Sequence, residues 1–306
     1  MSDAQTGGDA ADTGDKIATQ DPYLVALTEA KEGATTVLTD IVDRHKDDPD
    51  AVAMLERIMA TINPKRRGLE EAQAQIQTPV LRMVQGTTRN KPDGAVPGNF
   101  FTSSGALVQA PFEFVPLYMF EANRMFPADQ QAAPVCFAPD ARLGHRFGLC
   151  DKCIQLPFGK NKGGDFTDCD NGWVAMVLAK HNLKLYQLEF FRTSRKAGNQ
   201  IIGLADEVDD LWDRWMTLSS KEEKNDKGVF YSFKASGQAE DTPAHFREAC
   251  VALYDMVRSA RATYLEKHWT EVTAKQAEAA DIEENIDPDK LTAGTEGDSP
   301  NPDVKL

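Results

Sequence analysis

The spacing of four cysteines constrains the fold of this chain more than any other feature of its sequence. Cys136, Cys150, Cys153 and Cys169 form the pattern C-x13-C-x2-C-x15-C. Two thiolates separated by two residues can bind one ion without strain, and four soft ligands suit tetrahedral Zn²⁺. The segment between the outer cysteines is rich in Gly and Pro and has no obvious core of its own, so that a bound ion would order it. We therefore expect these four residues to hold one structural zinc.

Other roles for the cysteines are compatible with the same pattern. Two disulfides are disfavoured if the compartment is reducing, and four unrelated thiols are disfavoured by the clustering. His145, Asp170 and His181 are substitute ligands if one cysteine does not bind. Four thiolates leave no open coordination position, so the metal is expected to be structural and not catalytic. Cys250, on the apolar side of a later helical segment, is expected to be a small buried hydrophobic residue.

Composition predicts a soluble protein with one or two packed domains. The 306 residues are 41% hydrophobic, which is enough apolar material for that number of domains. No apolar run approaches the roughly 18 residues that cross a bilayer. The acidic N-terminus lacks the basic start and apolar stretch of a secretory signal. We expect no membrane association and a cytoplasmic location.

The net charge of −14 is unevenly distributed. Residues 65–200 carry a net charge of +5, between flanking segments of −8 (residues 1–64) and −11 (residues 201–306). This small excess fits either an ordinary solvated surface or a polyanion-binding surface. Residues 276–306 hold nine acidic and two basic residues and no aromatic residue, which predicts a disordered acidic tail. Such a tail would compete with a bound polyanion, dock on basic partner proteins, or simply solvate the chain.

Periodicity divides the chain into a helical start, a β-rich centre and a helical end. Apolar residues at helical spacing predict helices over about 21–44 and 50–62, with Asp21 and Asp50 as caps. From residue 78 short apolar runs alternate with Gly- and Pro-containing turns, which predicts strands over 80–84 and 112–125, a hairpin of 173–179 with 184–192, and a further strand over 228–234. A helix beginning at Thr193 or Ser194, and running toward Leu211 and Trp215, is inserted before the last strand.

Short strands with one inserted helix predict an α+β fold, built on a small OB-like β-barrel with a zinc-binding loop insertion. N-terminal helices and a long C-terminal helix would flank this barrel. The expected segments are a disordered acidic N-terminus (1–20), a helical region (21–77), the barrel (78–240) with its zinc loop (136–169), the C-terminal helix (241–275) and the acidic tail (276–306).

Aromatic and basic residues alternate along the central segment. In 112–120 the aromatic residues occupy one strand parity and mostly aliphatic residues the other, so one face could stack bases, or both faces could be buried. Three cations after Phe191 lie at an expected helix N-terminus, which favours phosphate. Rings interleaved with cations on an OB-like sheet suit single-stranded nucleic acid. The expected contacts are Arg82, Arg89, Lys91, Lys160, Lys162, Phe191, Arg192, Arg195, Lys196, Tyr231 and Lys234, with Tyr231 and Phe191 as stacking rings.

The sequence contains neither a P-loop nor a His-Glu-x-x-His motif, and we expect no enzymatic activity. Asp165, Asp168 and Asp170 are compatible with a metal-dependent nuclease, but they surround Cys169 and are better explained as part of the zinc loop. Another alternative is a zinc-stabilised interaction or scaffold module, in a transcription or virion assembly, that does not contact nucleic acid.

Four segments, in this order, resemble the zinc-containing single-stranded-DNA-binding proteins of tailed bacteriophages. They are 84–87 with its Gly- and Pro-rich turn, 113–118, the cysteine cluster, and 191–198. The resemblance covers roughly residues 78–234. It implies an OB-type fold, sequence-tolerant binding of single strands during replication or recombination, and an acidic tail that recruits replication or recombination proteins. It also implies the host bacterial cytoplasm as location. The acidic helical N-terminal region departs from the family, and a homo-oligomer is possible.

Overall fold

The computed structural model of the protein describes residues 22–63, 78–88, 91–126, 134–153, 169–226 and 228–284. This part of the chain is a mixed α+β structure with four helices and one large, mostly antiparallel sheet. The helices are α1 (Pro22–Arg44), α2 (Pro49–Ile62), α3 (Arg195–Ala205) and α4 (Ala244–Glu284). The strands are β1 (Val80–Met83), β2 (Phe100–Thr102), β3 (Leu107–Val108), β4 (Phe112–Met125), β5 (Cys136–Ala138), β6 (Leu143–Gly144), β7 (Gly148–Leu149), β8 (Asp170–Ala179), β9 (Leu185–Phe190), β10 (Arg214–Asn225) and β11 (Gly228–Asp241).

The N-terminal helices form where the sequence predicts them, with one change at a cap. The side chain of Asp48, and not that of Asp50, accepts hydrogen bonds from the first backbone amides of α2, and Pro49 opens the helix. Proline is favoured there because the first helical amide has no partner within the helix. Leu55 and Ile58 of α2 are fully buried against the rest of the molecule.

The main sheet has the strand order β11-β10-β4-β8-β9-β1-β2-β3. A further strand, β5, pairs with β4 but is not part of this order. The described pairings of the sheet are antiparallel except for β1 with β9. The sequence predicted β4, the β8–β9 hairpin and the start of β11. It did not predict β10, which occupies the region where the inserted helix was expected to end.

The sheet is curled. Strand β11 contacts β1, although four strands lie between them in the strand order. The ring centroids of Phe100 on β2 and Phe233 on β11 are 5.5 Å apart. Gln85, just after β1, donates to the carbonyl oxygen of Tyr231 at 2.8 Å and accepts from its amide at 2.9 Å. Among the described strands no backbone ladder closes this seam, so that a closed barrel is not formed and the OB-like assignment stays a prediction.

Two apolar cores lie on opposite faces of the curled sheet. The inner core contains side chains such as Phe112, Leu188 and Phe233, and Ala197 and Ile201 of α3 pack into it. The outer core lies between the sheet and helices α1, α2 and α4 and contains, for example, Leu38 and Phe246. The helices therefore cover part of the outer face and leave the rest of it to other contacts.

A register shift between Pro116 and Tyr118 redistributes the aromatic residues of β4. Before it, Phe112 and Phe114 belong to the inner core. After it, Tyr118 packs on the outer core, and Phe120 belongs to a separate cluster on the same outer side. A bulge adds one residue to a strand and so exchanges its faces. The expected single aromatic face is therefore split between the two sides of the sheet.

Helix α4 continues to Glu284, beyond the end at residue 275 that the sequence predicted. Residues 276–284, predicted as the start of the disordered tail, are therefore helical. The rest of that tail, the predicted disordered segment 1–20 and residues 64–77 of the predicted helical region lie outside the described residues. Within the described part, none of the helices has both the length and the apolar character that crossing a bilayer requires.

Candidate metal centre and nucleic-acid interface

The four clustered cysteines come from three separate places in the fold. Cys136 opens β5 and lies opposite Met125 of β4. Cys150 and Cys153 bound a single turn after β7, closed by a hydrogen bond from the Cys153 amide to the Cys150 carbonyl at 3.2 Å. Cys169 immediately precedes β8. The fold thus brings together residues that are up to 33 positions apart in the chain.

All four cysteines line one small cavity, together with Asn123. Its volume is about 10 Å³, roughly the space of one water-sized sphere. A Cβ on Gly144 would lie 2.6 Å from the Cys136 sulfur, so a larger residue there would displace this thiol. Among the described residues, no three His, Cys, Asp or Glu side chains are already drawn together as a coordinating group. The thiols therefore surround a common space without converging on one point.

The donor set is chemically suited to a soft cation. Burial raises the pKa of Cys150, and the neighbouring sulfurs of Cys136 and Cys153 raise it further, while a hydrogen bond with Asn123 lowers it. Burial, followed by the charges of the other three thiolates, raises the pKa of Cys169 to about 12. Thiols that resist ionisation in one another's presence are stabilised as thiolates by a shared divalent cation. These residues suit a zinc site with four thiolate ligands by donor type, and they line a common cavity.

The substitute ligands are engaged elsewhere, and none of them lines the cavity. His145 accepts a hydrogen bond through Nδ1 from the Phe137 amide at 2.9 Å. Asp170 accepts from Nε of Arg192 at 2.5 Å. The ring of His181 lies 5.9 Å from that of Phe112, and burial together with Lys184 lowers its pKa. Asp165 and Asp168 of the nuclease alternative lie outside the described residues. Cys250 is fully buried in the outer core, as predicted.

The cations expected at the start of α3 face carboxylates on three different strands. Arg192 pairs with Asp170 of β8, and Nη2 of Arg195 lies 3.7 Å from Glu121 of β4. Lys196 is exposed and near Glu223 of β10, whose pKa is lowered first by a hydrogen bond from Ser232 and then by Lys221 and Lys196. This helix N-terminus is therefore partly neutralised, and a phosphate there would compete with three acidic side chains.

Phe191 is not the exposed stacking ring that the sequence predicted. Its side chain is only 5% exposed, and it packs with Ala122 and Val174. The guanidinium carbon of Arg124 lies 3.6 Å from the ring centroid and covers one face. Arg124 was not among the predicted contacts, because the groups that it meets lie far from it along the chain. A basic residue at the end of an aromatic strand was the available signal.

Arg124 belongs to a row of arginines on the outer face, and its own side chain is 22% exposed. It donates to Glu189 of β9 at 2.8 Å. Its pKa is lowered, chiefly by burial and also by the charge of Arg192, although the carboxylates of Glu189 and Asp170 raise it. Arg82 is exposed on β1 beside β9, and it has the outer parity because its neighbour Leu81 is in the inner core. We name Arg82, Arg124 and Arg192 the arginine strip.

The remaining expected contacts are distributed over other surfaces. The Tyr231 ring would be 2.9 Å from a Cβ on Gly98, and its hydroxyl donates to Glu222 at 2.8 Å. That hydrogen bond is the main cause of the raised pKa of Tyr231. Lys234 is exposed on β11, and Lys91 is exposed in the turn before β2. Arg89, Lys160 and Lys162 lie outside the described residues.

Comparison with known proteins gives no relative for this chain. No family model matches it, and no curated protein and no solved structure matches it either. The resemblance to phage single-stranded-DNA-binding proteins therefore stays a prediction, based on the residues that suggested it.

Proposed function

We propose that this protein is a non-enzymatic, sequence-tolerant single-stranded-DNA-binding protein with one structural zinc, acting in phage DNA replication or recombination. The observation that carries the proposal is the arginine strip on the outer face of a curled sheet. We further propose that this curled sheet is a partly open OB-type barrel, with the zinc loop of residues 136–169 as an insertion.

The arginine strip offers the two interactions that bind single strands without reading their sequence. Guanidinium groups bind phosphate oxygens, and a guanidinium plane is also a stacking surface for any base. Arg124 is held over the Phe191 ring, with its guanidinium carbon 3.6 Å from the ring centroid. Glu189 and Asp170 fix Arg124 and Arg192 in place. They also reduce the net positive charge, so we expect moderate affinity.

Cys136, Cys150, Cys153 and Cys169 would hold the zinc. The ion would supply a fixed link between β5, the turn after β7 and the start of β8. The four cysteines would then hold the zinc loop in place, and the Asn123 side chain is placed to hydrogen-bond the Cys150 sulfur. We expect one zinc per chain, which only a strong chelator or acid would remove.

The test is fluorescence anisotropy with a labelled oligo(dT) and a duplex of equal length. We expect the single strand to bind and the duplex to bind much more weakly, with affinity falling steeply as salt rises. Arg82→Gln should weaken binding several-fold and make the salt slope shallower by about 0.7, the contribution of one phosphate contact on a single strand.

Lys267→Gln is the matched control, because Lys267 is an exposed cation on α4 near Glu271. It should change neither affinity nor slope. If Arg82→Gln and Lys267→Gln behave alike, the arginine strip is not the interface. If no oligonucleotide binds even at low salt, the scaffold alternative replaces this proposal. Mg²⁺-dependent loss of the oligonucleotide, abolished by changing Asp165 or Asp168, would favour the nuclease alternative.

We also propose that the acidic tail beyond α4 recruits replication or recombination proteins and competes with DNA for the basic surface. The tail residues 285–306 retain five of the acidic side chains against two lysines. An acidic segment of this kind binds basic surfaces through long-range charge.

A further inference from the structure

The second half of α4 lies against residues 136–153, which we call the cysteine loop, and holds them by polar side chains. Arg261 donates through Nη2 to the carbonyl oxygen of Pro139 at 2.9 Å. His268 donates through Nε2 to the carbonyl oxygen of Leu143 at 2.9 Å. Trp269 donates through Nε1 to the Asp140 carboxylate at 2.8 Å. The spacings of seven and eight residues place these three side chains on one side of the helix.

These bonds reach the turn that separates two of the cysteines. The other carboxylate oxygen of Asp140 accepts from the amides of Arg142 and Leu143, at 2.9 and 3.0 Å. The amide of Cys150 in turn donates to the carbonyl oxygen of Arg142 at 2.8 Å. One carboxylate thus joins Trp269 of α4 to the backbone that carries Cys150. The position of a candidate ligand depends on a helix more than a hundred residues later.

Burial indicates that these contacts are specific. Arg261 is 6% exposed and His268 is 8% exposed. Burying a charged or polar group is costly unless it finds partners. Arg261 has a second partner, because its guanidinium carbon lies 3.5 Å from the centroid of the Phe120 ring. Two buried polar groups on α4 are therefore matched to carbonyl oxygens of the loop.

The first half of α4 is held differently. Its residues from Phe246 to Ala260 contribute to the apolar outer core, which does not involve the clustered cysteines. From Arg261 onward the helix meets the loop, and at its far end Gln276 crosses Gly148, where a Cβ would lie 2.5 Å from the glutamine Nε2. The two halves of α4 should therefore respond separately to changes in the loop.

We propose that Arg261, His268 and Trp269 are positioning residues for the metal site, and that zinc binding and docking of the second half of α4 stabilise each other. This inference depends on the zinc of the proposed function. Coupling of this kind is reciprocal, so a weaker α4 contact lowers zinc affinity and zinc removal loosens α4. Outer contacts that orient metal ligands typically change metal affinity by 10- to 100-fold when removed.

The first measurement is the rate of zinc transfer from the intact protein to an excess of a chromogenic chelator. Trp269→Phe removes one hydrogen-bond donor and keeps an aromatic ring, and Arg261→Met keeps an unbranched apolar chain of similar length. Both should release zinc about 10-fold faster than the natural protein. Arg258→Met is the matched control, because Arg258 is exposed on the same helix one turn earlier and its guanidinium carbon lies 6.0 Å from the Tyr254 ring. It should leave the rate unchanged.

The second measurement is amide hydrogen exchange along α4, with zinc bound and after its removal. Zinc removal should increase exchange in residues 261–276 and leave residues 246–260 protected. If the protein binds zinc, but all three variants release it at the same rate and hydrogen exchange along α4 does not change when zinc is removed, the coupling is contradicted and the zinc site is not. A protein that binds no zinc at all contradicts the metal site and this inference with it. DNA binding enters neither measurement, so the interface is tested separately.

Discussion

At the scale of single residues, two glycines illustrate how differently the same residue is used. Gly172 on β8 is enclosed: a Cβ there would lie 2.5 Å from the Phe190 carbonyl oxygen and 2.6 Å from the Phe191 ring. Gly33, in the middle of α1, has nothing within 4 Å of the corresponding position. A backbone oxygen cannot move aside as a flexible side chain can, so Gly172 is required by packing and Gly33 is not.

The two substitutions to alanine should therefore have opposite effects. Gly172→Ala should lower the free energy of unfolding by about 1–3 kcal/mol, the usual cost of overpacking. Gly33→Ala should raise it by about 0.5–1 kcal/mol, because alanine loses less backbone entropy in a helix. Urea denaturation followed by circular dichroism measures both. A stable Gly172→Ala variant would contradict the close contact between β8 and β9.

At the scale of elements, periodicity predicted the helices and strands whose pattern of apolar residues matches the faces that they bury in the fold. Strand β4 matches its expected range of 112–125, and α2 its apolar stripe. Strand β10 was missed because its second half, Ser219–Asn225, is charged and polar. Its conformation is imposed by long pairing with β11, which no local pattern reveals. The bulge in β4 was missed for a similar reason, since it depends on the register against β8.

The seam of the curled sheet gives a prediction at this scale. Gln85→Ala removes both hydrogen bonds to the backbone of Tyr231 and leaves partly buried groups unsatisfied. We expect a loss of about 1–3 kcal/mol in the free energy of unfolding, and faster hydrogen exchange at the Tyr231 amide. Gln187→Ala is the control, because the Gln187 side chain donates to the Glu189 side chain and takes no part in the seam. Equal effects of the two variants would mean that Gln85 does not hold the seam.

At the scale of the whole molecule, the candidate sites differ in how far sequence could predict them. The cysteine pattern predicted that four distant thiols share one place, and they line one cavity. The arginine strip was only partly predicted, because it combines β1, β4 and the start of α3. Arg124 acquires its role from Phe191 and Glu189, which the sheet, and not the chain, brings to it. Phe191, which was expected to be exposed, is a packing residue because Ala122, Val174 and Arg124 cover it.

The acidic tail gives a prediction for the intact molecule. Ending the chain after Glu284, which keeps all of α4, should tighten oligo(dT) binding at low salt and have little effect at high salt, where charge is screened. A full-length variant with the five tail carboxylates changed to amides should behave like the truncated protein, because charge and not length is the cause. Anisotropy at two salt concentrations measures both. Unchanged affinity in the truncated protein would show that the tail does not compete with DNA.

The glutamine contacts along β11 have a consequence for crowded assemblies. Gln85 satisfies the backbone at Tyr231, and Gln200 of α3 accepts from the Ala235 amide at 3.1 Å. The outer margin of the sheet therefore lacks the uninterrupted row of free amides and carbonyls that lets one polypeptide extend another's sheet. Copies of the protein that meet side by side at this margin would therefore not join their sheets into fibres.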